Sequence, residues 1–319
     1  MILHVADVHL GYRAFDRKNE FGVNLREADI YRAWRQFIEA AIKRKPSLVL
    51  VAGDLFDNPN PPIAAIIAAQ DLWLLECPVL IIMGNHERPL VGELSPIHVL
   101  NKNNVSVFTT PTIHVDDQGN TIFCAPDTGV SYPFPQAKLL LAHGQIQGPD
   151  EYMHQTNHMK FDAAPYLYCA LGDLHHFWKK DNMYYPGCLT RLTFAQEANI
   201  CGYLEVDLAT HHVTQHSVFS RSFVTITDEA SAQTYLATPG KDEVVRIACD
   251  LKEDIITKIR EKSLSLKTVR QTPKNSVVGP GKNALNTTGC TLDEDYVQYS
   301  KDNKKDHLID AGLKVIKGV

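Results

Sequence analysis

Asp7-Val8-His9, Gly53-Asp54-Leu55-Phe56-Asp57, Gly84-Asn85-His86-Glu87, His143 and Gly172-Asp173-Leu174-His175-His176 gather carboxylates, imidazoles and an amide into five short sets without a thiol. Taken singly, each suits a turn or a surface histidine. Together, Asp7, His9, Asp54, Asn85, His143, Asp173 and His175 offer nitrogen and oxygen ligands only. Carboxylate with imidazole suits Mn, Fe, Zn or Mg and disfavours a structural thiolate zinc site. These ligands are too many for one tetrahedral ion and suit two ions that share a carboxylate. Two ions about 3.5–4 Å apart can clamp a phosphate and generate hydroxide for in-line attack. His86, beside Asn85, is then placed to protonate the leaving oxygen.

Each set follows an apolar run: Ile2–Ala6, Leu48–Ala52, Val79–Met83, Leu139–Ala142 and Tyr166–Leu171. A buried strand needs only the apolar residues, so the polar exits call for another explanation. Open α/β sheets bind ligands beyond the carboxyl ends of their strands. The sets can therefore converge although about 170 residues separate the first from the last. Strand alternation puts Asp7 and His9 on one side, and it selects His175 over His176 as the partner of Asp173. His4, His98, His114, His154, His158, His211, His212, His216 and His307 lack ligand spacing and read as structural or surface residues.

Around these exits, Arg26–Lys45 has helical apolar spacing and Pro46 ends it. Pro61-Pro62 opens a second helix over Ile63–Leu75. Strand–helix alternation over the first ~110 residues favours a layered α/β fold. Shorter runs then predict sheet: Val105–Phe108, Thr112–Val115, Thr121–Ala125, Gly202–Val206 and His212–Val218, with a loop-rich stretch over Gly144–Asp162. After Arg221 a small βαβ-type unit is expected: strands Phe223–Ile226, Val244–Cys249 and Leu266–Arg270, and helices Glu229–Leu236 and Asp254–Lys262. Asn275–Gly289 reads as a linker, and the tail from Leu292 as two short helices.

The chain has 319 residues and net charge −5. Residues 1–239 hold 17 Lys/Arg against 25 Asp/Glu, whereas residues 240–319 hold 15 against 12. An acidic body argues against gripping nucleic acid by bulk positive charge, although bound metal would neutralise part of it. The 7 cysteines form no C-x-x-C pair and read as reduced core residues of a cytoplasmic protein. No apolar run is long enough for a membrane span, and the start lacks a signal peptide's basic opening.

The order Asp-x-His, Gly-Asp-x-x-Asp, Gly-Asn-His-Glu, His, Gly-x-x-His is similar to that of the calcineurin-like metallophosphoesterases. Within them the chain resembles the SbcD nucleases, bacterial and phage relatives of the Mre-type double-strand-break repair nucleases. His9-Leu10-Gly11-Tyr12 and Tyr185-Pro186-Gly187-Cys188, followed by Arg191, Phe194 and Glu197, add to it. The resemblance implies an αββα sandwich, two packed mixed sheets flanked by helices, over residues 1–222. It also implies a small α+β DNA-capping domain over 223–274, a linker over 275–291 and a helical tail over 292–319. By resemblance, Asp7, His9, Asp54 and His175 hold one metal, and Asp54, Asn85, His143 and Asp173 the other, with Asp54 bridging. His86 orients the phosphate or protonates the leaving group. The family uses two Mn²⁺, works with an SbcC-type coiled-coil ATPase that binds the tail, and pairs two nuclease subunits.

One departure is Asp173, where the family has His. The extra carboxylate lowers the site's formal charge by one and favours Mn²⁺ or Mg²⁺ over Zn²⁺. In the capping segment, Lys258, Arg260 and Lys262 lead a basic stretch suited to phosphate-backbone contact. The expected function is a Mn²⁺-dependent DNA nuclease, exonuclease on duplex ends and endonuclease on single strands or hairpins. A metallophosphatase or cyclic-nucleotide phosphodiesterase is the alternative within enzymes. A DNA-end-binding scaffold with a degenerate metal site is the third reading.

Overall fold

The computed structural model describes residues 1–15, 17–90, 93–145, 161–238 and 242–268. The linker and tail expected after residue 274, and most of the loop-rich stretch after Gly144, lie outside these residues. The described residues all fall within one compact unit.

Every strand that leads to a candidate ligand is buried on both sides. β1 (Ile2–Val5), β2 (Leu48–Val51) and β3 (Val79–Ile82) are buried at every position. They run parallel, followed by β4 (Val105–Phe108). Parallel strands buried on both faces must lie between layers, which explains continuous apolar runs in place of alternation. β5 (Thr112–Val115), β6 (Thr121–Ala125), β7 (Leu139–His143) and β8 (Tyr168–Gly172) enter a second sheet with β9 (Trp178–Lys180) and β10 (Met183–Tyr185). Its order is β5-β6-β7-β8-β10-β9. β11 (Gly202–Asp207) and β12 (His212–Ser217) return to complete the first sheet as β12-β11-β1-β2-β3-β4. Both sheets are mixed, since β11 pairs antiparallel with β1, and β9 with β10.

Leu48, Leu50, Leu80 and Ile82 meet Ile122, Leu139, Leu141 and Ala170 between the sheets. Val49, Val51 and Ile81 point the other way, onto α1 (Leu25–Arg44) and α2 (Ile63–Ala69). Asn24 caps α1 by accepting the Arg26 N–H at 2.9 Å, a contribution of about 1 kcal/mol. Lys45, in left-handed backbone just before Pro46, closes it. α2 is shorter than the spacing predicted, because Gln70–Leu74 tightens into a 3₁₀ turn. Among the described residues, aromatic side chains including Tyr132, Phe134, Phe161 and Trp178 pack on the outer side of the second sheet.

The β9–β10 hairpin was not foreseen. Its strands are three residues each, too short for a periodic signal, and Asp181 turns between them at φ 53°. After it, β13 (Phe223–Ile226), α3 (Glu229–Ala237), β14 (Val244–Ile247), α4 (Glu253–Lys262) and β15 (Ser265–Thr268) build a three-stranded parallel sheet with its own core. No gap opens at residue 222. Arg221 pairs with Asp29 of α1 at 2.6 Å, and the Thr225 N–H donates to Glu197 at 2.9 Å.

Candidate metal centre

The strand exits meet beyond the carboxyl ends of β1, β2, β3, β7 and β8. Three glycines make room. A Cβ on Gly53 would stand 2.3 Å from His143 Nδ1, one on Gly84 2.1 Å from Asp54 Oδ1, and one on Gly172 2.0 Å from the Ala52 carbonyl. The Gly-Asp and Gly-Asn pairs thus reflect neighbouring ligands packed against bare backbone.

His143 Nδ1–H donates to the Ala52 carbonyl at 2.7 Å, which fixes the ring and turns Nε2 inward. Around Nε2 stand Asn85 Oδ1 at 2.9 Å, Asp54 Oδ2 at 3.5 Å and Asp173 Oδ1 at 3.8 Å. On the other side, His9 Nε2 lies 3.2 Å from His175 Nε2 and 3.8 Å from Asp54 Oδ2. Asp7 completes that group with His9 and His175. Asp7 also comes within 4.0 Å of His143, but of Nδ1, the nitrogen already committed to Ala52. Asp54 Oδ2 therefore faces two donor sets at once. His86 Nδ1–H donates to the Asp57 carbonyl at 2.7 Å, and its Nε2 lies 4.0 Å from Asp54 Oδ2.

The electrostatics carry the mark of a cation site. Burial drives Asp7 and Asp173 well above and above the usual carboxylate value, against the pull of His143. Burial also works on Asp54, but His143, His9 and His86 outweigh it and hold that carboxyl low. His143 is pushed down by burial and yet held well above the ordinary imidazole value by Asp54, Asp173 and Asp7. Buried carboxylates crowded this closely need positive charge among them. Divalent ions fit: the donors are oxygen and imidazole nitrogen, and the inward nitrogen of His143 is set by the hydrogen bond on its outer nitrogen.

Strand alternation does not explain the arrangement. Asp7, His9 and Asp54 have φ of 50°, 54° and 51°, and Asp173 has 95°. The chain has left the strand at each position. Asp7 and His9, like Asp173 and His175, share the site because the turns aim them there. The sheet pleat does not.

The three supporting residues Asp57, Glu87 and Gln196 received no role from the sequence. Asp57 Oδ1 lies 3.2 Å from His9 Nδ1, and its carbonyl holds His86. Glu87 is fully buried and accepts the Phe56 and Gly84 N–H groups at 2.7 and 2.9 Å, tying the second and third exits together. Burial and Asp54 push its carboxyl up to about 8. Asp57 and Glu87 lie inside the motifs, so their signal was present. Gln196 Nε2 sits 2.6 Å from His175 Nδ1 and had no sequence signal, because a 3₁₀ turn at Phe194–Gln196 delivers it.

Of the basic residues, Lys258 and Arg260 are exposed on α4. Lys262 is different from the expectation. Its ammonium donates to the carbonyls of Tyr235, Leu236 and Thr238 and closes the end of α3.

A family model for calcineurin-like phosphoesterases matches residues 1–180. The chain is 30% identical over 201 residues to a DNA double-strand break repair protein Mre11 of Methanocaldococcus jannaschii, covering 55% of this chain and 51% of that protein. It is 27% identical over 200 residues to the Saccharolobus solfataricus protein of the same name, covering 56% and 50%. The Aeropyrum pernix counterpart is 42% identical over 96 residues, 29% of this chain and 22% of that one. The chain thus spans about half the length, or less, of these relatives.

Proposed function

The chain belongs to the calcineurin-like phosphoesterase family, and on that premise we propose that it is a Mn²⁺-dependent DNA nuclease that processes duplex ends and hairpins in double-strand-break repair. The observation that carries the reading is Asp54 Oδ2, 3.8 Å from His9 Nε2 and 3.5 Å from His143 Nε2. Asp7, His9, Asp54 and His175 would hold one ion, and Asp54, Asn85, His143 and Asp173 the other. Divalent ions bound there supply Lewis acidity toward a phosphodiester. His86, its Nδ1–H anchored on the Asp57 carbonyl, presents Nε2 to the cleft with its side chain 40% exposed. The protonated ring can donate from Nε2 to the departing oxygen. Asp173, harder than imidazole, supports Mn²⁺ or Mg²⁺ over Zn²⁺.

DNA as substrate, rather than a phosphomonoester or cyclic nucleotide, is supported by the names of the relatives and by the α3–α4 unit beside the site. The SbcC-type ATPase enters on the resemblance alone, since the tail lies outside the described residues. Pairing of two copies is supported by α2, which leaves Ile63 and Ile67 76% and 60% exposed on one face, with Leu74 exposed just beyond. An Ile67→Asp variant should then run as a monomer in light scattering where the parent runs as a dimer.

The central test is Asp54→Asn. The amide oxygen can keep the 2.9 Å bond from the His86 N–H, while the bridging charge is lost. Titration calorimetry with Mn²⁺ should show neither ion bound tightly. Cleavage of labelled linear duplex should fall about a thousand-fold, on the order of 4 kcal/mol of transition-state stabilisation. Turnover of a phosphomonoester or cyclic nucleotide by the parent, with intact duplex, would favour the phosphatase reading. An Asp54→Asn variant that keeps both ions and full cleavage would refute the bridging role.

A further inference from the structure

Cys188 and Cys201 are buried 13 residues apart in sequence, with their Sγ atoms 3.7 Å apart. Both sit beside the metal centre without contributing to it. The Cys188 N–H donates to the His175 carbonyl at 3.2 Å, and the next N–H, of Leu189, to the Asp7 carbonyl at 3.4 Å. The Cys188 carbonyl in turn accepts the Gly202 N–H at 3.3 Å. One short segment thus carries a thiol and also holds the backbone of two candidate ligands. Cys201 stands just before β11, the neighbour of β1 in the first sheet.

We propose that Cys188 and Cys201 are a peroxide-sensitive thiol pair whose closure to a disulfide disturbs the backbone that holds His175 and Asp7. A disulfide needs its sulfurs about 2.05 Å apart, so closure draws these two together by about 1.7 Å. Cys188 lies in an interior with no slack: its side chain is fully buried, and a Cβ on the preceding Gly187 would already stand 2.9 Å from the backbone of His176 and Phe177. The movement therefore passes into the Cys188–His175 and Leu189–Asp7 hydrogen bonds.

The chemistry balances with hydrogen peroxide as the oxidant. The Cys201 thiolate attacks one peroxide oxygen, the S–O bond forms, the O–O bond breaks, and hydroxide leaves and takes up a proton as water. The Cys188 sulfur then attacks the sulfenic sulfur of Cys201. The S–S bond forms, the S–O bond breaks, and a second water leaves. Two thiols lose two electrons in total and one peroxide gains them. Cys201 is the better attacking sulfur. It retains 4% exposure, and the hydrogen bond with Cys188 and the Arg191 guanidinium hold its thiol below the ordinary value against burial.

The test uses the full chain, metal-free, treated with limiting hydrogen peroxide. Peptide mapping should find a fragment joining residues 188 and 201, reversed by dithiothreitol. Hydrogen exchange should speed up at the Cys188 and Leu189 amides in the oxidised protein only. A Cys188→Ser variant, left without a resolving thiol, should accumulate a dimedone-reactive sulfenic acid at Cys201 that the parent does not. Oxidation of the partly exposed Cys249 with no joined 188–201 peptide would overturn the proposal, as would a joined peptide with unchanged exchange at those amides. On the metal reading above, Mn²⁺ affinity should drop about ten-fold on oxidation, the size of an outer-contact effect. Reduced protein that binds no Mn²⁺ overturns that reading alone, because mapping and exchange are read without metal.

Discussion

At the scale of single residues, four candidate ligands stand in left-handed backbone where the strands end: Asp7, His9, Asp54 and Asp173. Asp, His and Asn announce themselves after apolar runs. Nothing in the letters says that Asp7, His9, Asp54 and Asp173 adopt left-handed backbone, which costs roughly 1–2 kcal/mol apiece for a residue with a Cβ. The surrounding strands hold those turns in place, since strain of this kind persists only where the structure over-determines it. His4 has no ligand spacing, and its structural setting has a measurable consequence. It is fully buried between the sheets and hydrogen-bonded to the Tyr168 hydroxyl at 2.9 Å, and burial lowers its imidazole from 6.5 to about 3. The native ring stays neutral while the unfolded one takes a proton below pH 6.5. Stability is therefore whole above that pH and drains away as pH falls toward 3, at about 1.4 kcal/mol per unit. His4→Gln removes this dependence. Between pH 7 and pH 5 the parent should lose about 2 kcal/mol more than the variant in urea unfolding. His175, lowered in the same direction by burial, is present in both and cancels. Equal losses in the two proteins would show that His4 is not buried as a neutral ring.

At the scale of elements, long apolar strands and the first helix were readable because burial on both faces writes continuous runs, and because Pro46 follows the end of α1. The second helix broke early and the β9–β10 hairpin escaped notice, since three-residue strands and 3₁₀ turns answer to tertiary packing and carry no period of their own. Three of the five strand exits work as a unit of strand, glycine and candidate ligand, at Gly53, Gly84 and Gly172. Gly84 shows what the glycine does. Its φ is not in the left-handed region, so an alanine there meets no backbone penalty. The obstacle is spatial, with Asp54 Oδ1 2.1 Å and the Asp54 nitrogen 2.4 Å from the added carbon. Gly84→Ala must push the Asp54 carboxylate away from both donor sets or shift the β3 exit, which Glu87 ties to Phe56. Mn²⁺ affinity should fall at least about ten-fold, together with a loss of about 1–3 kcal/mol in stability from overpacking. Calorimetry alongside thermal unfolding checks both. Unchanged metal binding in a folded Gly84→Ala protein would mean that the exits are looser than their spacing implies.

At the scale of the whole molecule, the acidic body and basic end suggested two parts, and contacts now show how they join. Phe194 meets Phe223 edge to face at 4.9 Å, Glu197 accepts from the Thr225 N–H and hydroxyl, and Gln196 between them reaches His175. One turn therefore touches both the candidate metal centre and the α3–α4 unit, a connection that depends on packing and leaves no trace in composition. The same level of detail divides the basic residues. Lys262 serves the fold by closing α3, so only Lys258 and Arg260 of the three remain exposed on α4 for a phosphate backbone. Each phosphate contact on duplex DNA contributes about −0.9 to the slope of log K against log salt. Replacing Lys258 and Arg260 with Gln should flatten that slope by about 1.8, measured by fluorescence anisotropy on a labelled duplex. Lys262→Ala should instead lower the melting temperature and leave the slope alone, because its charge is spent on carbonyls within the unit. If the double variant keeps the parent's slope, α4 is a solvated face. If Lys262→Ala alone flattens it, the ammonium leaves α3 to meet DNA.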